Sequence, residues 1–227
     1  PVGRGQALHV VSEATILGAG VGMALAVSAG WRVLPGVGLG SLLLHLPNGW
    51  IGAGVALTDR AEHPVVLARF PSIAQAARSV GSRHVRNMAT LGGNLRLPTR
   101  CWYTNQSADW RASRAPCWKT DGALCHVIKT SETCRAINSS DLAPALVALG
   151  ARLSVRSVRG EREAPLPAFY NDDGVNHTNL ARDEIITAIE LPAQGFAANH
   201  SYLKIRDRLS YAFALVSVAA ALELESG

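Results

Sequence analysis

A group of four cysteines constrains this chain more than any other feature of its sequence. The cysteines of the 227-residue chain are Cys101, Cys117, Cys125 and Cys134, and all lie in one segment, residues 96–135. That segment shows neither the period of a helix nor the alternation of a strand. Irregular stretches of this length are uncommon inside compact domains, so this one needs an internal cross-link or a bound metal.

Spacing alone leaves three uses open: a metal centre, two disulfides, or unrelated buried thiols. Unrelated thiols would be scattered along the chain rather than clustered. Disulfides require an oxidising compartment. A structural zinc ion usually takes its ligands from two Cys-x-x-Cys pairs, and no such pair occurs here. A cubane iron–sulfur cluster also takes four thiolates. Its ligands can come from one long loop, so spacing favours iron–sulfur over zinc by a small margin.

Aromatic side chains accompany the cysteines. They are Trp102, Tyr103, Trp110 and Trp118. Such rings would shield a metal cluster from water and tune its potential, or they would form the small core of the loop, and the two roles are compatible. His126 adjoins Cys125, but four cysteines already fill the ligand positions of a cubane cluster.

The segments on either side of the cysteines alternate between strand and helix patterns, which indicates an α/β or α+β fold. An apolar fraction of 48% is enough for a core. Helices are predicted over 71–80, starting at Pro71, and over 141–149, capped by Asp141 and ended by Gly150. A helix with Thr58 as its N-cap is also expected. Strands are predicted over 50–57, 151–158 and 184–191, and strand or helix over 201–206 and 212–224.

Two glycine-rich turns are candidates for binding phosphate. Backbone amides in such a turn can converge on a pyrophosphate, and the stretch Thr90-Leu91-Gly92-Gly93-Asn94 adds side-chain donors. A bare Gly-Gly pair is also common in ordinary turns. The stretch Gly36-Val37-Gly38-Leu39-Gly40 lacks the third glycine and the acidic residue of a nicotinamide-nucleotide fingerprint.

The charge pattern indicates what kind of molecule the chain binds, and the hydropathy of its N-terminal part bears on whether it enters a membrane. The net charge of +5 comes from scattered basic residues, and the densest stretch, from Arg78 to Arg100, has no stacking aromatics. We therefore expect an anionic ligand or an acidic subunit rather than nucleic acid. Residues 14–30 carry no charge. A secretory signal and a membrane span fit them less well than a buried Ala/Gly-rich helix does.

Five segments carry a family resemblance: IGAGVALTD (51–59), EHPVVLARFPSIAQAARSVGS (62–82), HVRNMATLGGNL (84–95), SSDLAPALVALGA (139–151) and SYLKIRDRLSYAFALVSVA (201–219). In the same order, they resemble the FAD-binding medium subunit of molybdenum hydroxylases, a group that includes xanthine dehydrogenase and carbon monoxide dehydrogenase. Most members run directly from the glycine loop into the Ser-Asp-Leu segment, whereas here the cysteine segment intervenes. That insertion, with RCWYTNQSADWR (100–111), looks like the loop that carries a [4Fe–4S] cluster in the beta subunit of 4-hydroxybenzoyl-CoA reductase.

The resemblance implies an α+β fold. Residues 1–192 would form a PCMH-type FAD-binding domain of two α/β subdomains, interrupted by the iron–sulfur loop at 96–135, and residues 193–227 would begin a truncated C-terminal α+β domain. The resemblance also implies a [4Fe–4S] cluster on Cys101, Cys117, Cys125 and Cys134. It implies an FAD site formed by Gly36, Val37, Gly38, Thr90, Leu91, Gly92, Gly93, Asn94, Asp141, Ile186 and Lys204.

The function implied is that of a cytoplasmic electron-transfer subunit of a molybdenum oxidoreductase, with 4-hydroxybenzoyl-CoA reductase as the specific expectation. Its partners would be a large molybdenum-cofactor subunit, a small [2Fe–2S] subunit and ferredoxin as electron donor, with no nucleic acid and no membrane. The first flavin loop departs from the family, because Val37 replaces a glycine and Leu39 a polar residue. A branched side chain hinders close approach of backbone to phosphate. The alternatives are therefore a cluster-only subunit that has lost FAD, and a secreted module with two disulfides.

Overall fold

The computed structural model describes residues 8–14, 44–45, 49–192 and 199–222, and these contain eight strands and eight helices. The strands are β1 (Leu8–Ala14), β2 (Leu44–His45), β3 (Trp50–Gly52), β4 (Arg152–Ser157), β5 (Gly160–Pro165), β6 (Ile185–Glu190), β7 (His200–Ile205) and β8 (Val216–Leu222). The helices are α1 (Leu57–Glu62), α2 (Pro64–Arg69), α3 (Pro71–Ser79), α4 (Arg83–Met88), α5 (Leu91–Leu95), α6 (Ala108–Ala112), α7 (Leu142–Ala148) and α8 (Leu166–Phe169). The mixture confirms the α+β class.

The strands form two antiparallel sheets. The larger has the order β2-β3-β6-β4-β5 and the smaller β1-β8-β7. In the larger sheet β6 pairs with both β3 and β4, so Ile189 lies opposite both Ile51 and Leu153. These three side chains are fully buried. One face of the larger sheet therefore belongs to the core.

Helices α3 and α7 pack on the smaller sheet, α3 against β7 and α7 against β8. On α3 the buried residues include Ile73, Ala76 and Ala77, and the helix starts with Pro71 at its first position. The predicted helix over 71–80 is confirmed, because apolar residues at helical spacing do face the core. The predicted strands over 151–158 and 184–191 are confirmed as β4 and β6. Both C-terminal segments, left open between strand and helix, contain strands.

Four local predictions are wrong in part. The strand expected over 50–57 ends at Gly52. Thr58 lies inside α1 rather than capping it, since Ala56 holds the N-cap position. The glycine-rich turn expected over 90–94 contains helix α5. Asp141 does hold the N-cap position of α7, but its side chain makes no capping hydrogen bond. Long-range contacts decide the last two cases. The Gly92 N–H at the start of α5 donates to Ala53 O, and the Asp141 carboxylate pairs with Lys204.

The insertion leaves the domain after α5 and returns before α7. Its base is closed by a bridge in which Arg100 and Ile137 exchange backbone hydrogen bonds of 2.8 and 3.0 Å. Between these residues lie only α6 and one turn of 3-10 helix, Trp118–Thr120. The expectation of a largely irregular segment is therefore confirmed. The buried helix expected over 14–30 lies outside the described residues except for Ala14, which ends β1. The division of the chain at residue 192 stays a prediction.

Candidate cofactor sites

One cavity inside the insertion gathers all four cysteines. Its walls include Cys101, Cys117, Cys125, Cys134, Trp118 and Leu124. All four cysteines are free, so the structure has neither of the two disulfides that the secreted alternative requires. Cys125 and Cys134 are buried, with 7% and 8% of their surfaces exposed, and the other two are half-buried.

Hydrogen bonds to sulfur hold three of the four thiols. The backbone N–H of Ile128 donates to Cys125 Sγ at 3.5 Å, and that of Ala136 donates to Cys134 Sγ at 3.4 Å. The hydroxyl of Thr120 donates to Cys117 Sγ at 3.7 Å. Such donors stabilise negative charge on sulfur, and in iron–sulfur proteins they help to set the reduction potential.

The electrostatics of the cavity come from burial and from two basic side chains. Burial acts to raise the pKa of Cys125, but backbone N–H donors and the charge of Arg135 outweigh it, and the pKa is lowered. Burial raises the pKa of Cys134, despite the opposing effects of the Ala136 N–H and Lys119. Burial also lowers the pKa of Lys119, whose Nζ donates to Thr99 O at 2.7 Å. A cation is thus fixed close to the thiols.

Two glycines support the chain around Cys117 and Cys134, and the sequence analysis did not identify either of them. A Cβ on Gly122 would lie 1.9 Å from Pro116 O, so only glycine allows the turn after Cys117. A Cβ on Gly174 would lie 2.8 Å from Cys134 Sγ, and the Gly174 N–H donates to Cys134 O at 2.8 Å. Gly174 belongs to the segment between α8 and β6. No local pattern connects it to the insertion.

The cysteines that line the cavity do not form a site for a single metal ion. Within the described part of the chain, no three His, Cys, Asp or Glu side chains lie close enough together to hold a single metal ion. A zinc site needs four ligands in mutual contact around one ion. A cubane of irons and sulfides is larger, so its four thiolates stand around a cavity instead. Four thiols lining one cavity, three of them with sulfur-directed donors, fit that arrangement.

The second glycine stretch forms the start of α5. Thr90 caps this helix, since its Oγ1 accepts from Gly93 N at 3.1 Å. Gly92 is buried where a Cβ would lie 2.8 Å from that of Ala53, and its N–H donates to Ala53 O at 2.8 Å. Leu91 is buried. Because the helix cap and the contact with Ala53 use the amides of Gly92 and Gly93 internally, the part of this stretch open to a ligand is the exposed Gly93 beside the half-buried Thr90.

Asn94 joins the glycine stretch to the far end of the insertion. Its Oδ1 accepts from Ser140 Oγ at 2.7 Å and from Leu142 N at 3.2 Å. The neighbouring Ser139 is buried, and its hydroxyl has no partner. An orphaned buried hydroxyl beside this loop is suited to a ligand's polar atoms, because buried polar groups are ordinarily paired. The residues around Thr90 and Ser139 therefore fit a nucleotide cofactor.

Asp141 and Lys204, both predicted to contact FAD, bind each other. Lys204 Nζ lies 2.8 Å from Asp141 Oδ2, and the two side chains are 3% and 8% exposed. The hydroxyl of Tyr202 donates to Asp141 Oδ1 at 2.7 Å. Burial and the Asp141 carboxylate raise the pKa of Tyr202 far above its ordinary value, and burial lowers the pKa of Lys204. This tertiary pair explains why the Asp141 side chain does not cap α7.

The remaining predicted FAD residues lie elsewhere. Ile186 is buried in the core on β6, opposite Val155 of β4. Gly36, Val37 and Gly38 lie outside the described residues. The structure thus brings together the 90–94 stretch, Asp141 and Lys204. The roles of all these residues toward FAD stay predictions.

Residues 48–194 match the family described as the FAD binding domain in molybdopterin dehydrogenase. The chain belongs to this family. FAD is accordingly supported as the cofactor of this domain, and the α+β fold of the family is the one observed. Among the described helices, none is long and apolar enough to cross a lipid bilayer.

Curated relatives of this FAD-binding domain carry names from several enzymes. The aldehyde oxidoreductase FAD-binding subunit PaoB of Escherichia coli K12 is 38% identical over 182 residues, which are 76% of this chain and 57% of the relative. The nicotinate dehydrogenase FAD-subunit of Eubacterium barkeri is 24% identical over 176 residues, 77% of this chain and 47% of the relative. The chain spans about half the length of these relatives.

Solved structures show the same fold. A chain of carbon monoxide dehydrogenase from Hydrogenophaga pseudoflava matches with a TM-score of 0.55 at 22% identity, over 78% of this chain and 47% of that one. A chain of quinoline 2-oxidoreductase from Pseudomonas putida 86 gives 0.54 at 21% identity, with the same coverage. The predicted PCMH-type architecture is confirmed. The named relatives include aldehyde and nicotinate enzymes, so the likeness to 4-hydroxybenzoyl-CoA reductase and the [4Fe–4S] cluster stay predictions.

Proposed function

We propose that this chain is the FAD-binding subunit of a molybdenum-containing oxidoreductase and carries a [4Fe–4S] cluster on its insertion. One observation carries the proposal: four free cysteines line a single cavity, in an insertion that starts and ends beside the predicted flavin loop. Asn94, in that loop, accepts hydrogen bonds from Ser140 and Leu142, which follow the insertion. A cluster here would stand next to the flavin domain, as a chain of electron carriers requires.

The FAD site would use groups at the start of α5 and the nearby Ser139. The Thr90 hydroxyl, the exposed face of Gly93 and the unpaired Ser139 hydroxyl would hold the polar part of the nucleotide. The Asp141–Lys204 pair would act mainly by fixing the start of α7, because both side chains already satisfy each other. FAD supplies the exchange between one-electron and two-electron transfer. The protein supplies binding and orientation.

The cluster would be held by Cys101, Cys117, Cys125 and Cys134. Backbone N–H groups aimed at the sulfurs and the cation of Lys119 would offset the charge that four thiolates bring into a half-buried site. A [4Fe–4S] cluster supplies one-electron transfer. The reducing conditions that keep four thiols free are those of the cytoplasm, which is the location we propose.

The substrate would be transformed on another subunit. We propose a large molybdenum-cofactor subunit and a small [2Fe–2S] subunit as partners, and ferredoxin as the redox partner outside the complex. The relative at 38% identity is an aldehyde oxidoreductase subunit, which favours aldehyde oxidation. The cysteine insertion, with its likeness to 4-hydroxybenzoyl-CoA reductase, favours reductive dehydroxylation as the second candidate. Assaying the assembled complex with both substrates separates the two.

The decisive experiment is anaerobic purification followed by visible absorption, iron and acid-labile sulfide analysis, and EPR of the reduced protein. We expect flavin bands together with about four irons per chain. A Cys125→Ser variant should lose most of the iron. Ser113→Ala, an exposed change in the same insertion, should keep it. Iron-free protein would refute the cluster, and protein that takes up iron but no FAD would refute the flavin role.

A further inference from the structure

The indole N–H of Trp118 is a buried donor with no acceptor. Trp118 follows Cys117 directly, and its side chain lines the cavity together with all four cysteines. Its Nε1 is buried, and none of the described residues offers it a hydrogen-bond acceptor, sulfur atoms included. An indole nitrogen can only donate, and when buried it usually has a partner. The missing partner is therefore an acceptor that the cavity would contain.

Backbone hydrogen bonds hold the segment around Trp118 at the cavity. The Trp118 N–H donates to Leu124 O at 3.1 Å, and Leu124 also lines the cavity. On the other side, the N–H groups of Thr120 and Gly122 donate to Cys117 O at 2.7 and 2.9 Å. The tight turn therefore holds Trp118 and Cys117 together at the cavity.

The other aromatic residues of the insertion are engaged differently. Arg114 lies over the ring of Trp110, 4.3 Å from its centroid, and Tyr103 stacks on His126 at 5.0 Å. Trp102 is 47% exposed and does not line the cavity. Trp118 thus combines a position on the cavity wall with an unsatisfied donor.

We propose that Trp118 Nε1 donates a hydrogen bond to a sulfur of the cluster and thereby raises the cluster's reduction potential. This inference rests on the proposed function, since the acceptor is a sulfide or thiolate of the cluster. Reduction adds an electron to the cluster, and a donor to sulfur stabilises the more negative state. Trp118 is therefore a positioning and tuning residue rather than a ligand. No electron passes through it.

The test compares Trp118→Phe with Trp102→Phe in the complete, anaerobically prepared chain. Phenylalanine keeps an aromatic ring at this position and removes the N–H together with part of the ring volume, which the iron content and the proton couplings control for. We expect Trp118→Phe to retain its iron, to show a more negative midpoint in an EPR-monitored redox titration, and to lose one exchangeable proton coupling in pulsed ENDOR. Trp102→Phe should match the unaltered protein in all three measurements.

The outcomes separate this inference from the proposed function. An unaltered protein without iron would overturn both. Iron-loaded Trp118→Phe with an unchanged midpoint and unchanged proton couplings would overturn the hydrogen bond alone. Should Trp118→Phe fail to assemble its cluster, the unaltered protein labelled with 15N at the indole nitrogens decides the matter. A 15N coupling to the reduced cluster that Trp102→Phe retains supports the proposal, and absence of any such coupling overturns it.

Discussion

Replacement of Lys204 by methionine tests how strongly the buried ion pair holds the start of α7 to strand β7. Lys204 Nζ contacts Asp141 Oδ2 at 2.8 Å and Ser79 O at 3.3 Å, and the lysine side chain is almost fully buried. Methionine keeps most of the volume but leaves the carboxylate with Tyr202 as its partner. Removing one member of a buried ion pair costs about 3–5 kcal/mol. In a chain of this size that corresponds to a melting temperature lower by roughly 10 °C.

The free energy of unfolding is best measured by urea denaturation followed by circular dichroism, with and without added FAD. Arg83→Met is the matched control, because Arg83 pairs with Glu62 at 3.6 Å on the surface and should lose less than about 1 kcal/mol. The double variant Asp141→Asn/Lys204→Met removes both charges and should recover part of the loss. If Lys204→Met were as stable as Arg83→Met, the pair would contribute nothing to the fold.

Three further predictions concern the two sites and the dependence of stability on pH. Gly174→Ala should reduce the iron content, because its Cβ would lie 2.8 Å from Cys134 Sγ; iron analysis checks this, and full iron occupancy would contradict it. Ser139→Ala should weaken FAD binding several-fold with unchanged thermal stability, as fluorescence titration of the apo-protein would show, and equal affinity would remove this hydroxyl from the site. Hydrogen bonds from Arg162 lower the pKa of Glu184 to about 2. Because this folded-state pKa lies below the unfolded value, the stabilisation is complete above pH of about 4.5 and is lost as pH falls towards about 2. Arg162 is 40% exposed, so Glu184→Gln should cost only about 1 kcal/mol at neutral pH and flatten the acid limb of a stability–pH curve; an unchanged acid limb would contradict the assignment.

Local patterns predicted those elements whose own side chains determine them. Helix α3 follows from Pro71 and from apolar residues at helical spacing, and β4 and β6 follow from their alternation. The strand predicted over 50–57 ends at Gly52 because the chain turns there, with the Val55 N–H donating to Gly52 O at 3.3 Å, and Ala56 then bridges to Thr90, a contact that sequence periodicity does not contain. Asp141 was correctly placed at the start of α7. Its side chain, however, binds Lys204, far away in the chain.

At the candidate cluster site, too, local patterns predicted some features and long-range contacts determined the others. Four cysteines in one irregular insertion predicted a common centre, and the structure does place them around one cavity. Gly174 contacts Cys134 from outside the insertion, so only the folded chain reveals it. The unpaired donor of Trp118 is equally invisible in the sequence, because a hydrogen bond that is missing depends on every neighbour of the atom.

The bridge between Arg100 and Ile137 places the two ends of the insertion side by side, so that the insertion could be removed as a unit. Since the backbone enters and leaves side by side, joined by hydrogen bonds of 2.8 and 3.0 Å, a short connector could replace everything between them without moving α5 or α7. A lineage could therefore gain or shed the whole cysteine segment in one genetic step. The same geometry makes the segment a candidate for transplantation into flavin domains that lack it, where it would place its four cysteines beside the flavin domain.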